Sequence, residues 1–347
     1  MQAPAGISGS IEVFFLMKYV TRKRILEYSG ARTGRSWLKK IRFKRYGNLS
    51  LYRFLIIFSH NIDEDEILDR SNGVAYNFIL ATFPAIIFLF TLIPYLTILY
   101  PAVTSEVIIQ FLGDYLPPSM YEVISTTVLD IVNNQRGGLL TLGFLFALYL
   151  ATNGMMALMR AFNACYRTVE KRNPFMMRLT ATGLTFMLAA VLLLAAVLLI
   201  VGQLVLEHML DNIAQFSTLN LDEYTIQFIF LLRFLVIFIV FFIAISFIYY
   251  FGPAVHYNWS FFSVGSILAT LAILAISYVF SFYITNFGSY NKVYGSIGAL
   301  IAMMIWIQLI TIVLLFGYEV NASLHYGQKL EAVRSNLKKN RLDKAMR

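Results

Sequence analysis

Charge is scarce in this chain. Only 14% of its 347 residues are Asp, Glu, Lys or Arg, against about 25% in ordinary soluble domains, while 59% are apolar and the mean hydropathy is +0.68. That balance excludes a water-soluble globular fold. Cysteine is scarcer still: the single Cys165 cannot close an internal disulfide, and His60, His208, His256 and His325 lie at none of the usual zinc-ligand spacings. There is no GxxxxGK[ST] loop, HExxH pair, GxSxG elbow or dinucleotide fingerprint, so a cytoplasmic ATPase is not expected. The polar stretches are too short for a separate catalytic domain. No enzymatic activity, catalytic residue, cofactor or metal is therefore expected, and any function belongs to the apolar part.

What is present in quantity is uncharged length. Stretches free of Asp, Glu, Lys and Arg cover 71–105, 137–159, 179–206, 234–291 and 293–318. About 20 apolar residues suffice to cross a hydrocarbon core of roughly 30 Å, so four of these hold one helix each and the fourth in order holds two. Gly252-Pro253, followed by the polar His256-Tyr257-Asn258, divides that long run. The expected architecture is an all-α, polytopic bundle of six transmembrane helices near 72–100, 139–161, 179–206, 228–251, 260–286 and 297–322. Pro84 and Pro94 should kink the first span, and Pro101 should end it. Residues 1–46 then form a basic cytoplasmic arm, 47–325 the transmembrane domain, and 326–347 a basic tail.

The basic residues set an orientation. Thirteen of 28 fall in 1–70, five in 160–178 and seven after 323, whereas the alternate loops hold only Arg136 and Lys292. Lys and Arg stay on the cytoplasmic side, so both termini are expected there. Topology thus accounts for the net charge of +9 without nucleic acid as a partner. The first 17 residues, which lack Lys and Arg, are not read as a signal peptide. The arm over 20–46 is basic and without pattern, suited to anionic lipid at about 1 kcal/mol per cation, and membrane lipids are the expected partners. Residues 49–60 are apolar but too short to span, and suit the interface. Asp63 to Glu66 invite a metal, but a solvated helix start after Asn61 is the simpler reading. The long outer loop, 101–138, has Val107, Ile108, Phe111 and Leu112 at helical spacing and suits amphipathic caps.

Polar groups within the spans point to a site, because lipid offers them no partner. Asn153, Arg160, Asn163 and Arg167 share one helix face, either as a functional stripe or as packing and anchoring groups. Arg160 and Glu319 fall at matched depth near the cytoplasmic end and are expected to form an ion pair, either functional or a structural clamp. Asn77, Asn153 and Gln308, at roughly 8, 12 and 21 Å from the inner boundary of upright helices, form a candidate substrate-binding cavity. Helix-to-helix hydrogen bonds would satisfy the same amides. Gly265, Ala269 and Ala272, and Gly298 with Ala302, are spaced for close helix packing.

Three segments resemble the YihY/BrkB family of bacterial inner-membrane proteins. FGSYNKVYGSIGALIAMMIWIQLITIVLLFGYEVNAS (287–323) is similar to its closing motif. ATNGMMALMRAFNACYRTVEKRNPF (151–175) resembles its Ser-Asn-Gly, Asn-x-x-Tyr and Glu-x-Arg stretch, with Ala151-Thr152 where Ser is commoner, and SNGVAYNFILATFPAIIFLF (71–90) its first span. The likeness covers about 47–325 and implies six spans. It also brings the labels "ribonuclease BN" and "virulence factor" and the suggestion of lipid or solute translocation. The nuclease label finds no metal-ligand cluster here. A transporter or flippase-like protein for a lipid or amphiphilic solute is the leading expectation, and a non-transporting membrane organiser the alternative.

Overall fold

The computed structural model describes residues 32–64, 66–99, 137–166, 168–215, 223–254, 260–286 and 296–345. They form eight helices: α1 (Arg32–Lys40), α2 (Leu51–Glu64), α3 (Ile67–Leu99), α4 (Gly137–Cys165), α5 (Pro174–Gln215), α6 (Glu223–Phe251), α7 (Val264–Asn286) and α8 (Ser296–Ala345). A short antiparallel hairpin, β1 (Arg42–Phe43) with β2 (Leu49–Ser50), separates α1 from α2. Six helices, α3 to α8, are long and apolar enough to cross a membrane. The protein is an all-α polytopic membrane protein.

Each expected span coincides with one helix, and all of these helices except α7 extend beyond it. The last was expected to stop near 322, whereas α8 continues to Ala345. Hydropathy falls after Glu319, yet the following residues are mostly Leu, Glu, Lys, Arg, Gln and Ala, which sustain a helix in water as well as in lipid. α3 runs through both Pro84 and Pro94. The outer loop, where amphipathic helices are expected, the polar segment 256–258 and the motif 287–295 lie outside the described residues.

The chain divides into two compact units, Ile67–Tyr318 and Met1–Glu66 with Glu319–Arg347. In the first, consecutive helices pack together, α3 with α4 most extensively. Glycines of α4 admit phenylalanines of α3: a Cβ on Gly154 would stand 2.9 Å from the Phe78 ring, and one on Gly143 would touch the backbone at Phe88. The core is aromatic and methionine-rich. Phe162 stacks on Tyr318 with centroids 4.3 Å apart, and Tyr249 stands edge-on to both. Met155 and Met159 are fully buried, and the Tyr249 hydroxyl donates to the Leu314 carbonyl at 2.7 Å. Gly317 makes this possible, since a Cβ there would come within 2.6 Å of both Tyr249 Oη and Ala269 Cβ. The packing expected of Gly265 and Ala269 is made against that glycine.

In the second unit, the segment read as patternless is folded from Arg32 onward. Gly47 and Asn48, both left-handed at φ 63° and 64°, turn the chain into β2. Residues that tolerate that conformation are the local cause of the hairpin. The apolar stretch 49–60 becomes β2 and most of α2, burying Leu49, Phe54, Ile56 and Ile57. Gly327 of α8 faces Leu49 and Ile57, Tyr46 meets the His325 ring edge-on at 5.5 Å, and Arg53 pairs with Glu331. The helix start expected after Asn61 is absent: α2 runs on to Glu64, and α3 begins at Ile67.

Candidate functional site

The most heavily hydrogen-bonded polar cluster of the first unit lies in the loop between α4 and α5. Helix α6 ends at Phe251 because Pro253 cannot continue it, which leaves carbonyls without helical partners. Arg172 reaches them, with Nη2 2.8 Å from the Gly252 oxygen and Nη1 3.4 Å from that of Phe251. The same guanidinium grips Glu170 in a two-point fork, Nε to Oε1 and Nη2 to Oε2, both 2.8 Å. Asn163 completes the knot: its Nδ2 donates to Glu170 Oε2 at 2.8 Å, and its Oδ1 accepts from the Ala254 amide at 2.7 Å. The Arg172 hydrogen bonds hold the Glu170 carboxyl down from an ordinary 4.5 to about 2, outweighing partial burial, with a smaller contribution from Asn163. Three side chains thus join the end of α4 to the end of α6.

The candidate cavity residues each have a partner of their own. Asn77 donates to the Gly73 carbonyl of its own helix at 2.7 Å. Asn153 accepts from Arg178 of α5 at 2.7 Å, and that guanidinium also lies 4.5 Å from the Tyr149 ring centroid. Gln308 of α8 donates to Ser71 at 3.1 Å and to Asn72 at 2.6 Å, both in the first turns of α3. Asn72 is exposed and Gln308 half-buried. Upright helices would put Asn72 near the inner boundary and Gln308 some 20 Å above it. Their hydrogen bond is not what that depth matching predicts.

Of the proposed helix-face stripe, Asn163 turns into the knot, Asn153 toward α5, and Arg160 is exposed; Arg167 lies outside the described residues. Arg160 and Glu319 belong to different units. In its own unit Glu319 is fully buried, accepting from Asn61 Nδ2 at 2.8 Å and from Ser323 Oγ at 2.7 Å. Asn61 also reaches Ser323 at 3.1 Å. The sequence reading treated Asn61 as a helix boundary and missed it as a partner. The signal was weak: an amide amid apolar residues at helical spacing. Among the described residues no group of three or more His, Cys, Asp or Glu is placed to hold a metal ion.

A family profile described as Virulence factor BrkB matches residues 58–342. The chain belongs to the BrkB family. The BrkB match takes in the Asn163–Glu170–Arg172 knot, Gln308 and Glu319, and it continues past 325 through most of the C-terminal part of α8. The chain is 33% identical to the ribonuclease-like protein YfkH of Bacillus subtilis over 261 residues, 75% of this chain and 91% of that protein. UPF0761 membrane proteins of Actinobacillus pleuropneumoniae and Alteromonas mediterranea are 24% and 26% identical, covering 76% and 77% of this chain and 90% and 86% of theirs. No solved structure matches. The likeness noted to the YihY/BrkB family therefore holds, and this BrkB protein is a multi-pass membrane protein.

Proposed function

We propose that this BrkB protein is a non-enzymatic transporter or flippase-like protein for a lipid or an amphiphilic solute, seated in the bacterial inner membrane with both termini in the cytoplasm. The observation that carries the reading is the Gln308–Asn72 amide pair, which joins two apolar spans and keeps Asn72 exposed. Lipid tails cannot satisfy an amide, so such groups gather where a polar headgroup or water reaches the bundle. The path proposed for it runs past Asn77, Asn153 and Gln308. Orientation is supported by the placement of 25 of the 28 basic residues on one side. Cysteines introduced at 172 or 338 in a Cys165→Ser background should resist impermeant reagents in intact cells, and labelling from outside would overturn the orientation.

Purified protein in vesicles tests transport. Tail-labelled phospholipids should exchange between leaflets faster than in protein-free vesicles, and Gln308→Leu with Asn72→Leu should slow the exchange. No acceleration with any of several headgroup classes would overturn it. One observation favours a second reading, a membrane organiser: the Phe162, Tyr249 and Tyr318 core is packed with side chains. An inert protein in the exchange assay that co-purifies from gently solubilised membranes with a defined partner would support that reading.

A further inference from the structure

Among the described residues between Arg160 and Arg172, two cations are left over once the knot is formed. Arg160 sits near the C-terminal end of α4 with its side chain exposed. Lys171 lies in the following loop. The Thr168 amide donates to the Asn163 carbonyl at 2.8 Å, and Asn163 holds Glu170, so the loop folds back onto the last turns of α4. Asn163 is three residues beyond Arg160, a spacing that makes them neighbours with Cβ atoms about 5–6 Å apart. Residues 168–171 form no helix, and Glu170 and Arg172 both turn inward to the knot. Lys171, between these two inward-turned residues, is exposed. Arg172 occupies the carboxylate of Glu170. Among the described residues of their unit, neither Arg160 nor Lys171 has a hydrogen bond or an ion pair.

The surroundings of these cations are oily. Val169 and Phe175 are 76% and 78% exposed, and Met176 and Leu179 follow on the first turns of α5 with more than half their surface open. Apolar side chains of that size are covered by acyl chains in a bilayer, and the end of a span lies at headgroup level. A ligand that fits must offer hydrocarbon to Phe175, Met176 and Leu179 and negative charge to Arg160 and Lys171. We propose that Arg160 and Lys171 form a binding site for an anionic phospholipid in the leaflet that abuts this end of the bundle. The inference is independent of transport and of which leaflet that is. A zwitterionic headgroup fits less well, because its own ammonium group competes with the two protein cations for its phosphate.

The test uses the full chain in detergent, titrated with phosphatidylglycerol or phosphatidylcholine and read by native mass spectrometry. The site predicts retention of phosphatidylglycerol over phosphatidylcholine. Arg160→Gln with Lys171→Gln should lower phosphatidylglycerol affinity about thirtyfold, roughly a factor of five per cation. The exposed pair Lys329→Gln with Arg334→Gln, which removes the same charge outside the basic arm, should leave it within about twofold. Equal losses in both pairs, or no headgroup preference in the parent chain, would overturn the site. So would displacement of the lipid by millimolar inorganic phosphate, which would point to a simple anion site. Should the double variant fail to fold, the charge-preserving Arg160→Lys with Lys171→Arg must retain the preference and single Lys171→Gln must weaken it; any other result overturns the site.

Discussion

Arg172 closes the end of a helix 80 residues further along the chain, its Nη2 standing 2.8 Å from the carbonyl oxygen of Gly252. The same side chain holds Glu170, so one guanidinium serves a carboxylate and a helix terminus at once. Replacing it by Ala should cost about 2 kcal/mol, the scale of hydrogen bonds to charged groups. Arg172→Lys should recover little, because an ammonium lacks the planar fork. Thermal unfolding in detergent checks both, with exposed Arg334→Ala as the neutral control.

The knot should also give an acid-dependent stability. Glu170 is depressed from an ordinary 4.5 to about 2, so its contribution is complete above pH 4.5 and is lost as pH falls toward 2. The stability gap between the parent chain and Glu170→Gln should therefore be constant from pH 7 to 5 and shrink below that. A gap that widened on acidification would contradict the ion pair.

Gly317 should tolerate no side chain. A Cβ there would meet Tyr249 Oη at 2.5 Å, Ala269 Cβ at 2.6 Å and the Gly265 carbonyl oxygen at 3.0 Å. Gly317→Ala should destabilise by about 1–3 kcal/mol, the range for overpacked cores. Gly183→Ala, where nothing lies within 4 Å of the added atom, should be harmless by the same melting assay.

Asn61 and Glu319 should couple. Asn61→Leu removes a donor from a fully buried carboxylate and should cost about 1–3 kcal/mol. In a double-mutant cycle with Glu319→Gln, the combined loss should be smaller than the sum of the two single losses, because the neutral amide no longer needs that donor as strongly. Strict additivity would show that the contact carries no energy.

The six spans were legible because some 20 consecutive uncharged residues have few other uses. The partners of Asn153 and Gln308 were not. Depth along upright helices separates Gln308 from Asn72, and the relative placement that joins them is set by packing, which hydropathy does not encode. Asn61, one of the partners that Glu319 has in its own unit, lies in a stretch read as interfacial. The Glu-x-Arg pair stood out by family likeness, but its third anchor at Gly252 follows an interval of 80 residues that no local pattern spans. The far end of α8 escaped notice because charge ends a hydrophobic run without ending a helix.

Asn163 meets Ala254 across 91 residues of chain, so during synthesis the loop after α4 exists for a time before its second half. At about 5–20 residues per second, that interval is roughly 5–20 s. Throughout it Arg172 has no helix end to cap, and its charge helps decide on which side of the membrane the loop stays. Only when α6 has emerged does the same side chain become a latch. The residue that closes the end of α6 is thus in place long before the helix it caps.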